Sequence, residues 1–192
     1  MNAPKVLAFA GSARKDSFNK KLLKIGVKSI IQKGLQVTCL DLRDWPFPLY
    51  DGDLEAEKGI PEIVAKFKEL MKSHQGFLLA CPEYNSSITP LLKNTIDWAS
   101  RPAPGEPDLL CFRGKFAGLI SASPGALGGL RGLVTVRSIL ENIGVHVIPT
   151  QMAVPKAHEA FDENGNLKDG KMQANVEKVG IELAHLISKF HT

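Results

Sequence analysis

The sequence predicts an α/β fold: a doubly wound five-stranded parallel sheet in the order 2-1-3-4-5, with helices on both faces, forming one domain over residues 1–192. Three observations carry this. Strand-like and helix-like segments alternate along the whole chain. The best strand-like segments are continuous apolar runs, as expected of parallel strands buried on both faces. The first, third and fourth runs each stop abruptly at a polar turn. Such sheets bind ligands beyond the carboxyl ends of their strands, at the switch point in strand order. In the order 2-1-3-4-5 those three strands are neighbours around that point, so three loops converge on one place.

The first strand is the run 6–10, which ends at Gly11. A loop of hydroxyls, a guanidinium and an amide follows, with Ser12, Arg14, Ser17 and Asn19. From Phe18 a helical pattern begins, with Phe18, Leu22, Ile25, Ser29 and Ile30 on one face and an end near Gly34. Residues 37–42 read as the second strand. The segment 44–53 is rich in proline, aromatics and acids and cannot be regular structure. Its aromatics suit a lid or subunit contact, or a loop packed on its own domain, and both readings stay open.

Ile60, Ile63, Val64, Phe67, Leu70 and Met71 mark the second helix. Residues 77–81 are the third strand, which runs into the second polar turn, Pro82-Glu83-Tyr84-Asn85-Ser86-Ser87. Pro90 fits the first turn of a third helix, where its missing N–H costs nothing. That helix turns Leu91, Leu92, Thr95, Trp98 and Ala99 inward and stops before Arg101-Pro102. A proline-rich loop leads to the fourth strand, 116–122, and the third polar turn, Ser123-Pro124-Gly125-Ala126-Leu127-Gly128-Gly129. Gly128 and Gly129 read as a tight turn with close backbone approach. Leu130, Leu133, Arg137, Leu140 and Ile143 are spaced along a fourth helix. Residues 145–148 are the fifth strand, and 154–169 read as a loop with a strong turn at Glu163-Asn164-Gly165-Asn166. Met172, Val176, Val179, Leu183, Leu186 and Phe190 define the last helix.

Bulk composition narrows the function class. Hydrophobic residues make up 44% and charged residues 23%, ordinary for a soluble globular protein. The net charge of +4 favours anionic ligands, but Lys and Arg are scattered, unlike a nucleic-acid-binding protein. The start leads directly into the first strand, so no signal peptide is expected, and no apolar run approaches the ~20 residues of a membrane span. Cys39, Cys81 and Cys111 show no CxxC spacing. A metal site or disulfide framework is not expected; each reads as a small core hydrophobe in a reducing cytoplasm.

The first loop has the chemistry of a phosphate cradle. The free N–H groups and positive dipole end of the following helix point back at it. Ser12, Arg14, Ser17 and Asn19 add donors, and Arg14 adds charge; the bland alternative for Arg14 is a solvated loop arginine. A GxGxxG fingerprint does not follow the first strand, nor does a Walker Gly-Lys-Ser/Thr ending, which favours a mononucleotide such as FMN over a dinucleotide there.

Gly11-Ser12-x-Arg14-x-x-Ser17-x-Asn19, Pro82-Glu83-Tyr84-Asn85, Leu92-Lys93-Asn94-x-Ile96-Asp97-Trp98 and the Gly128-Gly129 turn occur in this order over nearly the whole chain. Together they resemble the NADPH-dependent FMN reductases, flavodoxin-like quinone, chromate and azo reductases. The resemblance implies that Ser12, Arg14, Ser17, Phe18 and Asn19 hold the FMN phosphate end. It implies that Pro82, Glu83, Tyr84 and Asn85 contact the isoalloxazine ring, and that Ser123 and Gly125 border the flavin. It also implies a homodimer or homotetramer, with the third helix in the subunit contact; Asn94, Asp97 and Trp98 read mainly as structural. Two departures stand out: Ser86, where many members carry an aromatic, and Pro90, where a glycine-containing step is common.

The implied activity is hydride transfer from NADPH or NADH to flavin N5, followed by delivery of two electrons to a quinone, flavin, azo compound or chromate. The cofactor performs this chemistry, so no catalytic side chain is expected. His158 and Arg101 lie where a site or subunit contact could use them, with bland surface roles as the alternative. The rival reading is a flavodoxin-type electron carrier without its own NAD(P)H oxidation, which the positive net charge disfavours. A receiver domain would need an aspartate ending the third strand, which instead reads Ala80-Cys81-Pro82.

Overall fold

In the computed structural model, which describes residues 3–191, a parallel sheet of β1 (Lys5–Ala10), β2 (Gln36–Asp41), β3 (Gly76–Ala80), β6 (Phe116–Ala122) and β7 (His146–Val154) runs in the order β2-β1-β3-β6-β7. This is the order expected from the sequence. A separate two-stranded hairpin, β4 (Glu83–Tyr84) with β5 (Ser87–Ile88), sits outside the sheet. The long helices are α1 (Phe18–Gln32), α3 (Glu62–Lys72), α4 (Pro90–Ser100), α5 (Leu130–Asn142) and α7 (Gly170–Phe190).

Side chains of the central strands alternate between two cores. Val6, Ala8, Leu78 and Ile120 pack under α1 and α7 with Leu22, Ile30, Val179 and Leu183. Leu7, Phe9, Phe77, Leu79 and Leu119 face the opposite layer, with Phe67 of α3, Leu92 of α4 and Leu133 of α5. Each buried Val, Leu, Ile or Phe among them contributes about 1.5–3 kcal/mol, and truncating one, such as Leu78→Ala, costs about 2–5 kcal/mol. α1 and α7 approach closely at one point: a Cβ on Gly180 would collide with the Ser29 hydroxyl and lie 2.6 Å from the Gly26 carbonyl oxygen. This close seat fixes the axis of α1, whose N-terminus faces the polar loops.

The differences from the expected elements have physical causes. The strand expected at 37–42 is β2, ending at Asp41; Leu42–Asp44 turns into a 3-10 helix, with Asp41 Oδ1 accepting the Arg43 N–H at 3.0 Å. The segment 44–53, expected to be irregular throughout, is so only between Asp44, which closes that 3-10 helix, and Gly52, which begins the next helix; it packs on its own chain, Trp45 and Phe47 meeting Phe67 edge-on at 5.5 and 5.3 Å. Asn94 Nδ2 and Trp98 Nε1 both donate to the Pro48 carbonyl, at 2.9 and 2.7 Å, which makes their role structural. The segment then enters a short helix, α2 (Gly52–Lys58), capped by Asp51, which buries no residue and so has no apolar periodicity. Arg101 is engaged there, donating to Glu55 at 2.9 and 2.8 Å.

The last strand, expected over 145–148, continues to Val154. Pro149 is tolerated because β7 is an edge strand whose register against β6 slips between Ala117 and Leu119. The expected loop 154–169 contains the short helix α6 (Ala157–Ala160) and a bridge from Phe161 to Leu167 across the Asn164-Gly165 turn. His158 is on α6, half-exposed, 3.1 Å from Glu159. Cys81 and Cys111 are buried as expected, but Cys39 is exposed on the β2 edge. Among the described residues no helix is long and apolar enough to cross a membrane.

Candidate functional site

The three polar turns meet at the carboxyl ends of β1, β3 and β6. A cleft lies between them, lined by Ser12, Arg14, Ser17, Phe18, Asn19, Pro82, Glu83, Tyr84, Ala122, Ser123 and Pro124. Of the residues singled out in the sequence, Asn85 and Gly125 are not part of this lining. Asn85 is in the two-residue tip of the hairpin, with φ +50°, and Gly125 is exposed.

Hydrogen bonds between the loops hold the cleft together. Gly11 N–H donates to Ala80 O at 2.9 Å, and the Gly11 carbonyl accepts from the Thr89 hydroxyl at 2.7 Å. The same Thr89 oxygen caps α4 by accepting the Leu92 N–H at 3.1 Å. Ser121, fully buried, donates to Cys81 O at 2.7 Å and so ties the end of β6 to the start of the second turn. Thr89 and Ser121 escaped the sequence reading. Thr89 before Pro90 is an N-cap signature, and Ser121 is a hydroxyl in an otherwise apolar strand.

Asn19, expected as a donor to an anion, has partners within the protein. Its Nδ2 donates to Ala122 O at 2.8 Å and its Oδ1 accepts Ala122 N–H at 3.0 Å. The amide therefore joins the first turn to the end of β6. Ser12 Oγ accepts the Arg14 N–H at 3.3 Å, shaping the loop and leaving its hydroxyl proton free. Arg14 is exposed at the rim. Phe18 stacks flat on Phe161 at 6.3 Å.

The helix ends around the cleft are not equivalent. α4 is capped by Thr89. The Gly132 N–H in the first turn of α5 is bonded by the Glu83 carboxylate at 3.0 Å. α1 alone of these three has no side chain bonded to a first-turn N–H group, although Ser17 occupies the N-cap position. Its first N–H groups and positive dipole end open toward Ser12, Ser17 and Arg14.

Glu83 also accepts from Arg131, Nη2 at 2.7 Å and Nε at 3.0 Å. Burial alone would raise its pKa, but the Gly132 N–H and the Arg131 guanidinium outweigh it and hold the carboxyl below its ordinary range. Burial pushes the Cys81 thiol up, so it stays neutral behind Pro82. The third turn reaches its shape through Gly128 and Gly129, at φ +63° and +94°. A Cβ on Gly128 would lie 2.6 Å from the Val154 carbonyl carbon, so the close approach read from the sequence is present. Ser123 N–H donates to Val154 O at 3.1 Å, anchoring this turn on β7. Among the described residues no cluster of His, Cys, Asp and Glu is arranged to hold a metal ion.

The comparisons with known proteins agree with one another. The sequence profile of the NADPH-dependent FMN reductases matches residues 4–159. An NAD(P)H-dependent FMN reductase of Pseudomonas aeruginosa is 35% identical over 175 residues, 91% of this chain and 90% of that protein. A probable NADPH:quinone oxidoreductase of Oryza sativa is 34% identical, over 94% of this chain and 87% of its own. The solved structure of FerB, a flavoenzyme NAD(P)H:(acceptor) oxidoreductase from Paracoccus denitrificans, superimposes with a TM-score of 0.81 at 29% identity, covering 97% of this chain and 98% of that one. An archaeal flavodoxin, 11% identical with a TM-score of 0.64, shares the fold. By sequence and by architecture, this chain belongs to the NADPH-dependent FMN reductase family.

Proposed function

We propose that this chain is an FMN-dependent NAD(P)H oxidoreductase that reduces quinones or similar small acceptors. The observation that carries the reading is the uncapped N-terminus of α1 in a cleft where the α4 and α5 ends are already satisfied. One anion seat is therefore left open. Its donors, the first-turn N–H groups of α1, the Ser12 and Ser17 hydroxyls and the Arg14 guanidinium, suit a phosphate dianion, which needs several donors and compensating charge. The chemistry of this donor set fits the phosphate end of FMN.

When bound, FMN supplies the chemistry, accepting hydride from NADPH or NADH and passing two electrons to the acceptor. Ser12, Arg14, Ser17 and the start of α1 would hold the phosphate end. The Pro82–Tyr84 backbone and Ser123 border the opposite side of the cleft, where the ring system would be read. Asn19 acts on the cofactor indirectly, by keeping the first and third turns in register. The half-exposed Tyr84 lines the same side of the cleft as Pro82. No side-chain acid or base is required of the protein.

The chain is further read as one FMN-binding domain over residues 1–192, acting in the cytoplasm as a homodimer or homotetramer. Exposed Leu127, Leu130 and Val134 near the start of α5 support an assembly, since they leave apolar surface uncovered. Size-exclusion chromatography with light scattering tests that part.

The activity is tested by the visible spectrum of the purified protein and its anaerobic bleaching. Yellow protein bleached by NADPH or NADH and recoloured by a quinone is the expected result. Colourless protein that takes up no added FMN overturns the reading. Flavin that is reduced only through a separate reductase identifies an electron carrier instead.

A further inference from the structure

Glu83 is the one acid among the residues lining a cleft otherwise built for an anion. Its carboxylate faces away from the opening, into the start of α5. That helix begins after Gly129, which lies at φ +94° and has no side chain with which to cap it. The missing acceptor at the third helical residue is supplied by Glu83, whose Oε2 accepts the Gly132 N–H at 3.0 Å. Its Oε1 takes two bonds from the Arg131 fork. The Glu83 side chain is 8% exposed, so these groups rather than water solvate its charge.

The hairpin carrying Tyr84 needs this anchor. It consists of two two-residue strands with no neighbour in the main sheet, and so small a ladder does not hold its shape in water. Instead it lies directly on α5: a Cβ added to Gly132 would come within 3.3 Å of both Glu83 Cβ and Ser87 O. Helix and hairpin thus share one fastening, made by residues 48 and 49 positions apart.

We infer that Glu83 is a positioning residue, an N-terminal cap for α5 donated from the neighbouring turn, which fixes the Pro82–Tyr84 backbone against the flavin ring. The inference rests on the FMN reading above. Its second consequence is electrostatic. Arg131 and the α5 end neutralise the Glu83 charge, so it does not oppose an anion at α1, and the positive end of α5 is already spent on Glu83.

The test compares wild type, Glu83→Ala, Glu83→Gln, Arg131→Ala and the Glu83→Ala/Arg131→Ala pair. FMN dissociation constants are read by flavin fluorescence quenching, and hydrogen exchange of the Gly132 and Tyr84 amides is followed without FMN. Glu83→Ala is expected to weaken FMN about tenfold and to remove protection at Gly132. Glu83→Gln keeps an acceptor for Gly132 but turns its NH2 group toward the guanidinium, so it retains Gly132 protection and loses about threefold in FMN affinity. Arg131→Ala loses a similar factor, and the pair matches Glu83→Ala because Arg131 acts through Glu83. Additive single effects, or Glu83→Ala binding FMN within about twofold of wild type, overturn the inference. Should Glu83→Ala not fold, Glu83→Gln and Arg131→Ala both within about twofold of wild type do so. Wild type that binds no FMN overturns the cofactor reading, and unchanged Gly132 exchange in Glu83→Ala separately overturns the cap.

Discussion

Asn19 exchanges both of its side-chain hydrogen bonds with a single residue, Ala122, 103 positions further along the chain. One residue opens α1 and the other closes β6, so this amide joins the first and third turns of the cleft. Asn19 is 4% exposed, and water cannot replace what a substitution removes. Asn19→Ala is expected to lower the unfolding free energy by about 2–3 kcal/mol, because it leaves a buried N–H and a carbonyl unpaired. Urea denaturation reads this directly. A loss under about 0.5 kcal/mol would show that the two turns hold their places without the clamp.

Arg14 differs from Asn19 in being exposed and having no ion-pair partner among the described residues. Its expected contribution is to binding and not to stability. Arg14→Ala should weaken FMN about tenfold at low ionic strength, with Arg14→Lys intermediate because it keeps the charge but not the planar fork. At high salt the gap between wild type and Arg14→Ala should narrow, since an exposed charge is screened. FMN titrations at two salt concentrations measure both effects. Equal affinities for wild type and Arg14→Ala at low salt would mean a solvated arginine.

The strand order and the meeting of three turns were legible because they follow from long-range patterning. Continuous apolar runs mark buried parallel strands, and an abrupt change to polar residues marks their carboxyl ends. What was not legible depended on local balances or distant partners. α2 buries nothing and so leaves no periodic trace. β7 runs through Pro149 only because a register slip on an edge strand absorbs it. An asparagine in the first loop suits a phosphate as well as a backbone, and nothing near Asn19 points to Ala122. Glu83 stands out in the sequence only through its turn, since its partner, the start of α5, is brought close only by the fold. Cys39 lies in an apolar-looking strand and in register with buried Ala8, yet it is exposed because β2 is the sheet's edge.

Ser86 pairs with Asn85 in the two-residue turn of the Glu83–Ile88 hairpin, and both have positive φ, +50° for Asn85 and +68° for Ser86. Two-residue turns of this hand strongly prefer Asn followed by Gly, because the second position strains any residue with a Cβ. Ser86→Gly is expected to stabilise the protein by about 0.5–1 kcal/mol, relief of strain outweighing the added freedom of the unfolded chain. For a chain of this size that raises the melting temperature by about 2 °C. Calorimetry decides it, and an unchanged or lower melting temperature would mean that the serine is held there at no cost.

Glu106 sits between two lysines on α3, accepting from Lys68 and Lys72, each at 2.7 Å, and from the Ala103 N–H at 3.0 Å. The Lys68 side chain is 3% exposed, so its ammonium depends on this carboxylate. Hydrogen bonds from Lys68, Lys72 and Ala103 hold the Glu106 carboxyl down at about 2. An acid whose folded pKa lies below its unfolded one contributes stability that is complete above the unfolded value, about 4.3, and is lost as pH falls through the folded value. Glu106→Gln mimics the protonated acid at every pH and strands the Lys68 charge, so at pH near 7 it should cost about 3 kcal/mol. The wild-type advantage should shrink as pH falls below about 4.3 and is lost as pH drops through about 2, where Glu106 takes up its proton in the folded protein. Urea denaturation of both proteins at several pH values measures this difference. A gap that stays constant across the window would assign the loss to packing and not to the Glu106 charge.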